Sequence, residues 1–319
     1  MSERPGEALR VRTFGFRGLW GQIARIEEGF RRIGCHVAAE GEEFDFIYSN
    51  ELLQDRGAIA CKMRSGKPLI RHIQDLPAYE GTTRAKAASE LQAHRDVTLA
   101  AADRITTNTK FVVRQFERYW NYPGAVVVGQ PVQYEPDLAG FRTRQRRNLA
   151  VIIGRLDDPL KNADLALQAL SLLRAPPDLA MVWVGKVKKK PRSFFRRYRI
   201  EHHHEIPAAA LADLVKHARM VLAPSLFEGL GLPPIEALSV GTPVIVSDIE
   251  VKREVFADVP VLFHDPNDPQ DLARAIRFLQ DNAEAGWAMV EAFAPKIELY
   301  RPETVAAKIR DAYRGLPAR

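Results

Sequence analysis

Ala223-Pro-Ser-Leu-Phe-Glu-Gly-Leu-Gly-Leu-Pro-Pro-Ile-Glu-Ala-Leu-Ser-Val-Gly-Thr-Pro-Val-Ile-Val-Ser247 decides the fold class, because it reads as a strand-to-helix bend followed by a second strand. An apolar strand at Met220–Leu222 leads into it, a helix is predicted at Pro234–Val240, and the next strand at Pro243–Val246. Pro233 and Pro234 pre-set the first helical turn, whose amides lack intrahelical partners anyway, and Gly241 can stop the helix before Pro243. Gly229 and Gly231 have no side chains to hold a ligand off the backbone. The bend is therefore expected to present free N–H groups and the positive end of a helix to an anion or a sugar hydroxyl. Glu228 enters the bend and Glu236 lies in the first helical turn, and a carboxylate can accept two hydrogen bonds from a vicinal diol. Singly, these are ordinary turn glycines and an acid paired with a helix dipole. The combination is more specific.

Strand and helix alternate on both sides of this stretch. Upstream, Leu149–Ile153, Ala163–Leu173, Ala180–Val184 and Ala209–Ala218 read as strand, helix, strand and helix. In the first half, Val11–Phe14, Phe44–Tyr48, Pro68–Ile70, Arg104–Thr107 and Ala125–Val128 read as buried strands, with helical spacing of Ile23, Ile26 and Phe30 between the first two. This pattern predicts an α/β protein of two Rossmann-like domains, each a parallel doubly wound sheet with ligands at the carboxyl ends of its strands. Periodicity fails and arginines accumulate over 134–147, which is expected to be a linker. The expected domains are 1–133 and 148–282, with helices over 283–319 that pack back on the N-terminal domain.

The 319 residues are about twice the usual domain length, in keeping with two domains. No apolar run approaches the roughly 20 residues needed to cross a bilayer. The opening Met1–Gly6 lacks the apolar core of a secretory signal, so a cytoplasmic protein is expected. Cys35 and Cys61 match no metal or redox spacing and are expected to be free thiols. A formal net charge of +6 favours an anionic partner without choosing one.

Phe227-Glu-Gly-Leu-Gly-Leu-Pro233 through Glu236, followed by Gly241-Thr-Pro-Val-Ile245, resembles the signature region of the retaining glycosyltransferases of family four, which have the GT-B fold. Leu230 stands where the family usually has Phe. Gly154-Arg-Leu156 with Lys161-Asn162 resembles the family's G-R-L and K-G segment, with Asn162 replacing Gly and one extra residue in the spacing. The resemblance spans Leu149–Leu279. It implies an interdomain cleft, a nucleotide-diphosphate sugar as donor, transfer with retention to a glycan or lipid-linked acceptor, and no metal or other cofactor. It implies further that Arg155 and Lys161 hold the donor diphosphate, Glu228 and the amides of Gly229, Leu230, Gly231 and Leu232 the sugar, Glu236 the ribose and Ile206 the base, with Gly154 also at the donor. Cations at the leaving phosphate bind the transition state more tightly than the substrate. Front-face attack, in which the leaving phosphate takes the acceptor proton, needs no protein base.

Acceptor-side contacts are expected from Gly18, in the glycine-bearing loop after the first strand, and from His72, Gln74 and Asp75 after another. Gln74 stands where the family usually has His, and a core role for His72 competes with a role in the site. Lys186–Arg199, basic with interleaved aromatics, is either a solvated face or a dock for an anionic membrane surface or lipid-linked acceptor; no nucleic-acid motif accompanies it. His202, His203 and His204 are consecutive and point in different directions, which opposes a shared metal. The competing function is a non-catalytic sugar-nucleotide-binding or membrane-surface scaffold subunit.

Overall fold

The computed structural model describes residues 8–15, 22–50, 56–76, 88–173, 179–187, 196 and 200–317. The chain divides into two compact units, one of Met1–Gln133 with Glu298–Arg319 and one of Tyr134–Ile297.

In the first unit, strands β1 (Arg10–Phe14), β2 (His36–Val37), β3 (Phe46–Ser49), β4 (Leu69–His72), β5 (Arg104–Thr107) and β6 (Val126–Val127) form one sheet in the order β2-β1-β3-β4-β5-β6. All of its pairings are parallel. Every residue of β3 and β4 is buried, as expected for central parallel strands covered on both faces. Helix α1 (Ile23–Arg32) turns Ile23, Ile26 and Phe30 into the core. Helices α2 (Arg56–Ser65), α3 (Ala88–Ala101) and α4 (Lys110–Gln115) follow. Gly29 lets α1 approach the chain's last helix closely: a Cβ there would overlap the carbonyl of Pro302. The aromatic ring of Tyr313, on that last helix, stacks on Phe46 at 4.4 Å.

The second unit holds β7 (Arg147–Ile153), β8 (Ala180–Val184), β9 (Ile200–His203), β10 (Ala218–Ala223), β11 (Val244–Ser247) and β12 (Leu262–His264), with helices α5 (Ala163–Leu172), α6 (Ala208–Lys216), α7 (Leu232–Ser239), α8 (Glu250–Val255), α9 (Pro269–Asp281) and α10 (Ala283–Phe293). The strand order β12-β11-β10-β7-β8-β9 is the doubly wound order, with its reversal between β7 and β10. The crossovers leaving β7 and β10 fold to opposite faces of the sheet, so the adjacent carboxyl ends of these two strands open a crevice.

Two boundaries differ from the expectation. Residues 134–147 belong to the second unit and do not form a free linker: Arg144 donates to the carbonyl of Val240, Arg146 to that of Gly241, and both end groups lie at the carboxyl end of α7. Charge without periodicity there reflects helix capping. Helix α10 stays with the second unit, whereas the final helix α11 (Pro302–Arg314) lies in the first, against α1. The short edge strands β2, β9 and β12 carry too few alternating residues to stand out in the sequence. Among the described residues no helix is long and apolar enough to cross a membrane.

Candidate functional site

The bend after β7 and the bend after β10 meet at the strand-order reversal. Lys161 Nζ lies 2.6 Å from Glu228 Oε1, with side chains 26% and 15% exposed, so the pair is sheltered but reachable. Backbone joins the two bends as well, since the amide of Leu226 donates to the carbonyl of Leu160 at 2.9 Å. Lys161 ends a 3-10 turn (Pro159–Lys161) whose N-cap is Asp158, which accepts from the amide of Leu160 at 3.1 Å. Asn162 then adopts φ 51°, the left-handed conformation that Gly enters freely and Asn tolerates among the other residues. This accounts for an asparagine where the related segment has glycine.

Lys252, in α8, lies beneath the bend and is completely buried. Its ammonium donates to the carbonyls of Leu230 and Gly231 at 3.1 and 3.3 Å. These peptides are trans, so drawing their carbonyls toward Lys252 turns the amides of Gly231 and Leu232 to the opposite side. Neither amide has a hydrogen-bond acceptor among the described residues. Pro233 and Pro234 have no N–H, so the amino end of α7 offers fewer donors than a helix start usually does. Gly231 is glycine for a different reason from the one expected: at φ 76° a Cβ would overlap the Lys252 ammonium.

Burial pushes the Glu228 carboxyl up, but the charges of Lys161 and Lys252 and hydrogen bonds from Lys161 and Ser225 outweigh it and leave the group below the usual carboxylate range. Burial pulls Lys252 down to about 8, with Glu228 opposing the shift and Lys161 adding to it. Two ammonium groups thus converge on one carboxylate, an arrangement with room for one more negative charge.

Other expected residues are placed differently. Arg155 is 59% exposed and pairs with Asp158 at 2.6 Å; the structure does not bring it to Lys161 or Glu228. Gly154 closes β7, and its carbonyl accepts from the Trp183 indole at 2.7 Å. Gly229, Leu230 and Gly231 are buried and Leu232 half-buried, so the bend is a wall with two outward amides and not an open cradle. Glu236 is 3% exposed in the first turn of α7. Its charge, after burial, raises the Tyr134 phenol, whose oxygen is buried without a hydrogen-bond partner among the described residues. Ile206 is half-buried between β9 and α6. Sequence reasoning missed Lys252, Tyr134 and Asp158. Lys252 lies outside any glycine-rich motif, and only the fold returns α8 to the bend.

In the first unit, His72 is fully buried. Its Nε2 lies 3.0 Å from Asn108 Oδ1 and its Nδ1 3.2 Å from Thr106 Oγ1. Burial pushes its pKa down to about 4, against a hydrogen bond to Asn108. Asn108 then donates to the carbonyl of Gln74 at 3.0 Å, so His72 braces the segment that carries the half-buried Gln74 and Asp75. Gly18 lies outside the described residues, as does most of Lys186–Arg199; Lys186 itself pairs with Glu205 at 2.7 Å. His202 and His203 are engaged separately, with the Gly185 carbonyl and the Glu201 carboxylate, each at 2.8 Å.

Residues 135–293 match the family model for glycosyl transferases group 1. The chain is 25% identical over 302 residues to a D-inositol 3-phosphate glycosyltransferase of Streptomyces avermitilis, covering 85% of this chain and 65% of that protein. It is 30% identical over 212 residues to the O-antigen chain mannosyltransferase B of Escherichia coli, covering 58% and 54%. The chain therefore spans less than two thirds of the length of these relatives. In fold it is similar to the Anabaena protein Alr3699/HepE, solved with UDP and glucose, with a TM-score of 0.74, 14% identity, and coverage of 97% and 100%.

Proposed function

We propose that this chain, a group 1 glycosyltransferase with GT-B-type Rossmann-like units, transfers a sugar from a nucleotide-diphosphate sugar to a glycan or lipid-linked acceptor, with retention at the anomeric carbon and without a metal. The observation that carries this reading is the Lys161–Glu228 contact at the strand-order reversal, with Lys252 beneath it. Departure of a nucleoside diphosphate builds negative charge on the leaving oxygen. At an effective dielectric near 20, a cation about 4 Å away contributes roughly 4 kcal/mol, and even partial use of that is worth about two to three decades of rate. Lys161 is suited to this task, exchanging its partner Glu228 for the diphosphate. Arg155 joins it by leaving Asp158.

The outward amides of Gly231 and Leu232 supply neutral donors beside that charge, and the freed Glu228 carboxylate accepts from sugar hydroxyls. Glu236 and the unpartnered Tyr134 phenol are suited to the two hydroxyls of a ribose, with Ile206 toward the base. The names of the related D-inositol 3-phosphate glycosyltransferase and O-antigen chain mannosyltransferase favour a phosphorylated polyol or a glycan chain as acceptor. In the test, protein is incubated with UDP-, GDP- and ADP-sugars and the anomeric configuration of the product or hydrolysed sugar is read by NMR. Retention is expected. Inversion, or no turnover and no binding of any donor, overturns the reading.

A further inference from the structure

The second unit carries a positively charged cavity at the edge of its sheet opposite the Lys161–Glu228 bends. Arg146 precedes the body of β7, Arg219 lies near the start of β10 and Pro243 just precedes β11, so the cavity opens at the amino ends of parallel strands. The bends lie at the carboxyl ends, on the order of 20 Å away along a strand of six residues. The cavity has a volume of about 200 Å³, with Arg142, Arg144, Arg146 and Arg219 above an apolar floor that includes Leu279 and Trp287.

Part of this charge has a structural task. Arg144 and Arg146 donate to the carbonyls of Val240 and Gly241 at the end of α7, and Arg219 to that of Gln280 in the last turn of α9, where cations complement the helix dipole. These bonds leave the guanidinium charge uncompensated. Among the described residues, the cluster's carboxylates are Asp137, 3.9 Å from Arg144 and shared with Lys216, and Glu291, which takes two hydrogen bonds from Arg142. Among the same described residues Arg146 has only carbonyls and the Thr242 hydroxyl as acceptors. Among the described residues Arg219 has only the Gln280 carbonyl, which leaves most of its planar fork unused. Burial, followed by the charges of Arg144 and Arg219, pulls Arg146 down to about 10. The Arg146 guanidinium is thus held against the repulsion of two neighbours. The Arg142 guanidinium also lies 5.7 Å from the centre of the Trp287 ring, at the rim of the cavity.

We infer that this cavity binds a tetrahedral oxyanion, a phosphate or the phosphomonoester end of a larger molecule, at a site separate from the donor bends. A phosphate offers oxygens to several guanidinium forks at once, which matches side chains already converging on one space. The ligand would neutralise the cluster and link the ends of α7 and α9 through the arginines that cap them. Binding therefore stiffens the helix whose opposite end carries Gly231.

The test uses the full chain in phosphate-free buffer, with inorganic phosphate as probe and chloride at matched ionic strength as control. Thermal stability and phosphate protection of Arg142 and Arg219 from phenylglyoxal, mapped by mass spectrometry, are the two readouts. Phosphate is expected to raise the melting temperature and protect both arginines. Arg219→Gln and Arg142→Gln should each lose most of the thermal response. Lys161→Ala, altered at the donor bends, should retain both the response and the protection. Unprotected arginines in the wild type, or a phosphate response that survives in both arginine variants and vanishes in Lys161→Ala, overturns the inference. Sedimentation with phosphatidylcholine vesicles, with and without phosphatidic acid, distinguishes the sources. Arg219-dependent co-sedimentation assigns a lipid headgroup, and protection by free phosphate without co-sedimentation assigns a soluble phosphate. Should Arg219→Gln fail to fold, protection mapping on the wild type still decides.

Discussion

Lys161 and Glu228 are 67 residues apart in the chain and 2.6 Å apart in space. The contact exists because β7 and β10 are neighbours at the point where the strand order reverses, so that the turns leaving them share one crevice. A donor diphosphate must compete with Glu228 for Lys161, which makes the pair a latch as well as a binding element. Lys161→Ala is expected to cost about two to three decades of turnover. In a double-mutant cycle with Glu228→Gln, the two losses should fall short of additivity by roughly 0.5–3 kcal/mol. Strict additivity would show that the contact is incidental to the chemistry.

Lys252 predicts an alkaline limb. With its pKa near 8, it is charged at neutral pH and loses its proton as pH rises through that value. Donor affinity should therefore fall above about pH 8, as the carbonyls of Leu230 and Gly231 lose their charged partner. Stability moves the other way. The unfolded lysine holds its proton to about 10.4, so between the two values the unfolded chain binds more protons and Lys252's contribution rises with pH. Lys252→Met should remove the alkaline limb in affinity, measured by titration calorimetry across the range.

Gly231→Ala should be strongly unfavourable, from the left-handed backbone and from the collision of its Cβ with the Lys252 ammonium. The expected cost is about 1–3 kcal/mol for the strained backbone, with the collision added. Adding Lys252→Met should recover the collision part and leave the backbone part. An equal drop in melting temperature from Gly231→Ala with and without Lys252→Met would contradict the packing described.

His72 predicts an acid limb in stability. Its folded pKa near 4 lies below the ordinary value of 6.5, so its contribution is fully present above 6.5 and is lost as pH falls from there toward 4. The loss should total about 3 kcal/mol, and His72→Gln should flatten that part of the melting-temperature profile. An unchanged profile in His72→Gln would contradict this assignment.

The doubly wound architecture was legible because the buried strands Leu149–Ile153 and Ala180–Val184 are short apolar runs separated by an amphipathic helix, a pattern set by local periodicity. The bend at Glu228 was legible for the same reason: its glycines and prolines act on their own backbone. What was hidden depends on distant residues meeting. Lys252 reads as an ordinary charge on a short helix until the sheet places it under Leu230, and the reason for Gly231 is visible only from that contact. Arg144 and Arg146 look like linker charge because their partners, the carbonyls at the end of α7, lie more than ninety residues downstream. His72 and Gln74 share strand parity, yet one is sealed by Thr106 and Asn108 while the other lies beyond the strand.

The most direct measurement is the thermal shift of the wild type and of Lys161→Ala with UDP-, GDP- and ADP-sugars in parallel. At a concentration 100 times its dissociation constant, a ligand stabilises the folded state by about 2.7 kcal/mol. One donor class should produce such a shift in the wild type and lose most of it in Lys161→Ala, with both proteins melting cooperatively. An equal shift in the two proteins would place donor recognition away from the Lys161–Glu228 crevice and contradict the account.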